Sequence, residues 1–376
     1  MLKRLERRGK TALAACLAPL LGAKRRGEPP PDPRKVERLL VIRQHNQMGD
    51  MLLAVPAFRG IRSRYPRARI SLLAASINAG VMERNPYVDE VLTWSKERNR
   101  RNPLAPLVFI GGLRRRRFDM VIVLNTVSFS VTSMLIASLS GAGYRAGSTS
   151  RPFGSGLTSL YYDIELPLPS PDEVERMHEG EHNLYPLSVL GVKESDLSPV
   201  LVPSPDDRDR CAGFLSSAFG EKTAYALVHP GAGKAQNIWP PERFAAVTDR
   251  LSAQGIPTVA VRGPADGIFF ERYARACGEH PRVVTCPGVG FLGELMRRAA
   301  VCVCNDTGVA HIGGAVGARC VEIFGPTDPS RWKPACDSVV AVCSADGDLG
   351  SVTVERIMEE VERFVSPGSG PGRSPA

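Results

Sequence analysis

The chain has 376 residues, 43% hydrophobic and 23% charged, a composition that excludes a disordered or fibrous protein and provides apolar mass for two domains. Its formal net charge of +9 is unevenly divided: residues 1–150 carry 27 Lys and Arg against 10 Asp and Glu, a net +17, and residues 151–376 carry 21 against 29, a net −8. The basic half suits a polyanion, whether nucleic acid, an anionic membrane surface or a phosphorylated substrate.

In chain order, a basic lead with Lys3-Arg4 and Arg7-Arg8 precedes an apolar run over Thr11–Ala23. That run is too short to cross a bilayer. Lys24-Arg25-Arg26 stands where a signal peptide would carry its small-residue cleavage site. Two readings stay open, a basic helix lying on a membrane surface and a frayed tail. Pro29–Pro33 reads as a linker, so residues 1–35 form a separate basic segment and the first domain is placed at 36–198. Strands are expected at Arg38–Arg43, Ile70–Ala74, Val88–Thr93 and Met120–Leu124. Helices are expected from Met51 to about Arg64, capped by Asp50, and at Ser76–Arg84, Leu104–Leu113 and Ser128–Leu139. The clusters Arg98–Arg101 and Arg114–Arg117 flank the third of these. Arg145–Pro167 reads as irregular, and Glu173–Leu190 as a helix interrupted near Pro186.

Pro199–Pro205 reads as the linker to a second domain at 206–365. There a helix at Asp206–Phe219 leads to a strand at Tyr225–His229 and a glycine-rich loop, Pro230–Lys234. A helix at Pro241–Gln254 and strands at Thr258–Arg262, Val283–Cys286, Val301–Cys304 and Arg319–Phe324 follow. A helix of small residues, Val309–Val316, lies between the last two strands, and Val352–Val365 is the final helix. Residues 366–376 form a Pro, Gly and Ser tail expected to be disordered. The alternation of strands and helices predicts an α/β protein of two Rossmann-like halves with a cleft between them.

The nine cysteines include no CxxC pair and have no His or Cys partners at zinc spacing, so they read as buried reduced thiols. Gly288-Val-Gly-Phe-Leu-Gly293 matches a dinucleotide fingerprint, but late in its domain, where a chance match in a glycine-rich loop is the better reading. Asp207-Arg-Asp209 has a metal-binding spacing, yet it opens a helix, where carboxylates favour the positive dipole end. No metal is assigned. Three loops at carboxyl ends of strands carry more weight. His229-Pro-Gly-Ala-Gly-Lys234 exposes backbone amides that can hold a diphosphate at Gly231, Ala232 and Gly233. Asn305-Asp306-Thr307-Gly308 ends at a helix N-terminus, and Gly325-Pro326-Thr327-Asp328-Pro329 follows the next strand. Gly49-Asp50 lies after the first strand of the other domain, where Asp50 is either a helix cap or a carboxylate facing the ligand.

Read together, these stretches resemble glycosyltransferase family 9, the bacterial heptosyltransferases. The resemblance rests on VIRQHNQMGDMLLAVPAFRGIR, on His229-Pro-Gly-Ala-Gly with Trp239-Pro-Pro-Glu-Arg-Phe244, on Asn305-Asp-Thr-Gly-Val-Ala-His311, and on Phe324-Gly-Pro-Thr-Asp-Pro329, in order from about residue 38 to 335. It implies a GT-B fold, two facing Rossmann-like domains, and an inverting, metal-independent transfer of a sugar from a nucleotide donor. It implies ADP-heptose as donor, a lipid-linked acceptor such as lipopolysaccharide core, no cofactor and no nucleic acid. It further implies cytoplasmic work at the inner membrane, with peripheral contact. Asp50 matches the family's catalytic Asp, the general base, with Arg43 and Gly49 on the acceptor side. Asp306 matches a position contacting the donor sugar, joined on the donor side by Gly231, Ala232, Gly233, Lys234, Asn237, Thr307, Gly308 and His311. His311 alone could equally be a packed histidine. Two features depart from the family pattern. Asn237 stands where a lysine is common, so Lys234 is expected to supply the cation, and the loop from Arg43 to Gly49 is one residue longer. Two other classes remain open, a non-catalytic protein of this fold gripping a polyanion, and an NAD-dependent oxidoreductase resting on Gly288–Gly293.

Overall fold

Apolar runs separated by turn residues become parallel strands in this computed structural model, which describes residues 2–44, 47–220, 224–285 and 287–366. The chain divides into two units, Met1–Leu197 and Ser198–Ala376. The first holds β1 (Arg38–Arg43), β2 (Arg69–Ala75), β3 (Glu90–Trp94), β4 (Met120–Val123), β5 (Tyr144–Ser148) and β6 (Ile164–Leu166), ordered β3-β2-β1-β4-β5-β6. The second holds β7 (Ala226–His229), β8 (Thr258–Arg262), β9 (Arg282–Thr285), β10 (Val301–Asn305), β11 (Cys320–Phe324) and β12 (Val339–Cys343), ordered β12-β11-β10-β7-β8-β9. Counted from its own first strand, each sheet has the same Rossmann order. The order reverses between β1 and β4 in one unit and between β7 and β10 in the other, and both pairs are parallel. Ligands bind outside the carboxyl ends of strands at such a reversal. The loops after β1, β7 and β10 all open there.

The central strands β4, β7, β10 and β11 are buried along their whole length, as sheets covered on both faces require. Several elements differ from the sequence reading. β5 and β6 occupy the stretch expected to be irregular, because Gly147 lets the Tyr162 ring lie against the strand: a Cβ there would come 2.4 Å from the ring. The edge strand β12 was not read at all. The expected helix over Glu173–Leu190 is three pieces, Pro171–Glu175, Glu179–Leu184 and a 3-10 stretch Tyr185–Leu190, the first two opened by capping boxes at Ser170 and His178. The helix after β1 begins at Met48 with Gln47 as its cap, so Asp50 lies in the first turn and is not the cap. That helix stops at Leu52, and Val55-Pro56 opens the next.

Leu2–Leu21 is a helix, and it is docked rather than frayed. Ala14 is fully buried, and Ala18 and Leu21 pack on the core built from Leu113, Val131, Met134, Tyr161 and their neighbours. The Tyr161 hydroxyl donates to the Ala14 carbonyl. Beyond the helix, the Asp163 carboxylate accepts the Lys24 and Arg25 amides at 3.1 and 2.8 Å, and Arg145 donates to the Leu21 carbonyl at 2.6 Å. The outward face keeps Leu13 and Leu20 exposed, at 58% and 77%. Among the described residues no helix is long and apolar enough to cross a membrane. Of the described cysteines, all with free thiols, Cys211, Cys277, Cys302, Cys304 and Cys320 are buried, but Cys16 and Cys343 are exposed and Cys336 is half-buried. Cys286 lies outside the described residues.

Candidate active site

In the second unit, Asn305 at the end of β10 is fully buried and ties two loops together. Its Nδ2 donates to the carbonyls of Pro230 and Gly231, both at 3.1 Å, and its Oδ1 accepts the Trp239 amide at 2.9 Å. This clamp sets the glycine loop beside the next residue, Asp306. The Asp306 carboxylate accepts from Asn237 Nδ2 at 2.9 Å and from Thr327 Oγ1 at 2.6 Å. Burial raises its pKa, while the Thr327 hydrogen bond and the Lys234 charge oppose that rise. Lys234, Asn237, Asp306 and Thr327 therefore form one electrostatic cluster at the switch point. Asn237 supplies a neutral donor there, and the nearby cation is Lys234. Thr307 caps the helix Gly308–Ala315, its hydroxyl accepting the Val309 amide at 3.2 Å. His311 is buried within that helix.

The glycines of the loop after β7 differ in what they require. A Cβ on Gly231 would lie 2.0 Å from Asp266 Oδ1, whereas Gly233 faces open space. Ala232 between them is buried. Asp266 accepts from His229 Nε2 at 3.1 Å and from the Gly263 amide at 2.5 Å. Burial pushes the Asp266 pKa up, but the His229 hydrogen bond and its neighbours outweigh it, so the carboxyl titrates below its ordinary value. On β11, Glu322 is fully buried, and among the described residues neither of its carboxyl oxygens has a hydrogen-bond partner. Burial, reinforced by Asp306 and opposed by Lys333, raises its pKa well above the ordinary carboxyl value.

In the first unit, Arg43 at the end of β1 is almost wholly buried. It donates to the Leu124 carbonyl at 3.4 Å and to the Asp50 carbonyl at 3.2 Å. Burial lowers its pKa, and the charges of Asp50 and Glu179 act against that. Gly49 is buried and Asp50 half-buried in the short turn of helix over Met48–Leu52. Around them lies a buried polar group that the sequence reading missed. Glu179 contacts His182 Nδ1 at 3.1 Å, and Asn183 donates to the Leu53 carbonyl at 3.3 Å and accepts from Thr126 at 3.1 Å. The sequence carries no apolar periodicity over these residues to mark them as interior. Asn305 and Thr327 look like plain turn residues in the sequence, because their bonding roles depend on neighbours far along the chain.

Two motifs set aside on sequence have structural explanations. In the fingerprint match only Gly288 precedes the helix Val289–Arg298. Gly290 and Gly293 lie inside that helix, where a Cβ would meet Asp207 at 2.1 Å and Leu201 at 2.6 Å, so these glycines serve packing. Asp207 closes a capping box with Ser204, whose hydroxyl donates to it at 2.6 Å. Among the described residues no group of three or more His, Cys, Asp or Glu side chains is placed to hold a metal.

Lipopolysaccharide heptosyltransferase 3 of Escherichia coli is 25% identical over 304 residues, covering 79% of this chain and 86% of that protein. The glycosyl transferase family 9 structure from Veillonella parvula superposes with a TM-score of 0.74 at 20% identity, covering 89% of this chain and 98% of that one. E. coli ADP-heptose lipopolysaccharide heptosyltransferase II gives 0.70 at 20% identity, covering 87% and 98%. The fold is α/β of the GT-B type. The sequence model of glycosyltransferase family 9 (heptosyltransferase) matches residues 108–361. Family match, heptosyltransferase relatives and fold together place the chain in glycosyltransferase family 9, the heptosyltransferases, and make it a glycosyltransferase.

Proposed function

We propose that the chain transfers a heptose from ADP-heptose to a hydroxyl of a lipopolysaccharide core acceptor, with inversion and without a metal. The observation that carries this reading is the Asp306 carboxylate, held by Asn237 and Thr327 beside Lys234 at the switch point of the second sheet. A fixed, half-buried carboxylate suits the hydroxyls of a donor sugar. The Lys234 ammonium and the amides of Gly231–Gly233 and Thr307–Gly308 suit a leaving diphosphate, whose charge grows in the transition state. ADP-heptose is proposed as donor by analogy with the E. coli ADP-heptose lipopolysaccharide heptosyltransferase II, which shares the fold. In a single in-line displacement the acceptor hydroxyl loses its proton as it attacks the anomeric carbon, and the carbon–oxygen bond to the diphosphate breaks. Asp50 takes that proton as general base. Arg43, bonded to the Asp50 carbonyl, holds the turn that presents it. The acceptor is membrane-borne in this reading. The exposed Leu13 and Leu20, followed by Lys24-Arg25-Arg26, suit peripheral contact with the cytoplasmic face of the inner membrane.

The test is ADP release from ADP-heptose with a heptose-acceptor lipopolysaccharide, with and without chelator. Asp50→Asn should lower kcat by about 10²–10⁴-fold with unchanged melting temperature, and chelation should leave turnover unchanged. Near-normal turnover of a folded Asp50→Asn enzyme would remove Asp50 from the role. Donor binding without release for any lipopolysaccharide acceptor would overturn the acceptor proposed.

A further inference from the structure

A second charged site lies at the opposite edge of the first sheet. A cavity of about 490 Å³ opens at the amino ends of β1, β4 and β5, lined among others by Arg25, Lys35, Arg114, Arg117, Asp119 and Tyr144. It holds four cations, and none of their side chains forms an ion pair or hydrogen bond among the described residues. Its one carboxylate is already engaged: Asp119 accepts the amides of Glu37 and Arg38 at 2.8 and 2.9 Å. Of the neighbouring arginines, Arg116 pairs with Glu90 and Arg38 donates to the Arg116 carbonyl at 3.0 Å, while Arg26, Arg34 and Arg115 share with the four the lack of a side-chain bond among the described residues, so it is the cavity that sets the four apart.

The backbone around the cavity is built to this arrangement. Arg117 has φ of 50°, the one described non-glycine residue with positive φ, at the left-handed turn that ends the helix Ala105–Arg115, where its amide donates to the Arg114 carbonyl at 3.2 Å. A Cβ on Gly143 would lie 3.1 Å from the Asp119 carbonyl, so glycine lets the chain enter β5 close under the rim. The Tyr144 hydroxyl donates to the Glu28 carbonyl at 2.9 Å, fixing the segment that carries Arg25 and Lys35 against the sheet. Cations gathered around one cavity repel one another unless an anion joins them, and guanidinium forks match phosphate oxygens.

We propose that this amino-edge pocket binds a phosphate group, either a lipid headgroup or a soluble phosphate ester, as a site separate from the one at the carboxyl edges. The inference does not depend on the chemistry assigned to Asp50 or Asp306. The full chain, in phosphate-free buffer at low salt, is titrated with glycerol phosphate, and its co-sedimentation is measured with phosphatidylcholine vesicles containing or lacking phosphatidylglycerol. Arg114→Gln/Arg117→Gln is compared with Lys35→Gln and with Arg67→Gln, an exposed cation outside the pocket. At about fivefold per cation, Lys35→Gln should weaken binding about fivefold and the double variant about 25-fold, with Arg67→Gln unchanged and melting temperatures preserved. Such a loss for glycerol phosphate identifies a soluble ester, and a loss confined to the anionic vesicles identifies a headgroup. Wild-type protein that binds neither probe, pocket variants that bind like wild type, or an equal loss in Arg67→Gln would overturn the site.

Discussion

Replacing Gly231 by Ala tests the loop after β7 at its tightest point. The new Cβ would sit 2.0 Å from Asp266 Oδ1 and 2.1 Å from its Cγ. Ordinary contact begins near 3.4 Å, so the two groups must separate by more than an ångström. Asp266 cannot recede without loosening its 3.1 Å contact to His229 or its 2.5 Å bond from the Gly263 amide. Overpacking costs about 1–3 kcal/mol and loss of a charge-assisted hydrogen bond about 1.5–3 kcal/mol. A cost of about 3–5 kcal/mol follows, which lowers the melting temperature of a unit of this size by roughly 6–20 °C. Gly233→Ala meets nothing within 4 Å and should stay within about 0.5 kcal/mol of wild type. In an Asp266→Ala background the carboxylate is gone, and Gly231→Ala should become cheaper by about 2 kcal/mol. Urea and thermal unfolding of the full chain and its three single and one double variants read these differences. Equal costs at Gly231 and Gly233, or strict additivity with Asp266→Ala, would refute the argument.

Thr327→Val removes the 2.6 Å bond to Asp306 while keeping the shape. It should weaken donor binding roughly 10–100-fold, and because the lost bond held the Asp306 pKa down, the acid limb of the kcat/KM profile should move to higher pH. An unchanged pH profile would show that Asp306 does not titrate in donor binding. Glu322 has a folded pKa well above its unfolded one, so the folded state holds an extra proton between the two values and stability falls as pH rises through that window. Glu322→Gln removes this penalty: its melting temperature relative to wild type should show little difference at pH 4 and rise as the pH increases above the ordinary carboxyl range. A pH-independent difference would contradict a neutral buried Glu322.

The alternation of apolar runs and turn clusters made the two Rossmann-like sheets legible, since a strand such as VCVCN has only one stable place, inside. β5 and β6 lack that signature and escape the reading, while the edge strand β12, VVAVC, carries it and is missed all the same. β5 reads YRAGS, and it is a strand because Tyr162 covers Gly147. β6 has only three residues, and it pairs by register with β5. In the site, glycine and Asn-Asp-Thr-Gly turns at strand ends marked the loops. The partners were not marked, because pairing is a tertiary fact. Asp306 meets Thr327 from the next strand's loop, Asn305 reaches back to Pro230, and Glu179 and His182 are interior although their local sequence is polar. Asp50 was misread as a cap because the helix starts three residues earlier than its apolar pattern does.

The docking of the N-terminal helix sets an order of events during synthesis. Its clasp joins Lys24 to Asp163 across 139 positions, and Ala14 to Tyr161 across 147. At about 5–20 residues per second, the helix emerges roughly 7–30 s before the residues that receive it. Until then the row of Ala14, Ala18 and Leu21 has at most the part of its cover that is made earlier, Leu113, Val131 and Met134, and its incomplete burial lasts longer than hairpin formation or helix closure by orders of magnitude. The nascent chain therefore carries the inner face of this helix only partly covered until Tyr161 and Asp163 are made, and their arrival closes the clasp.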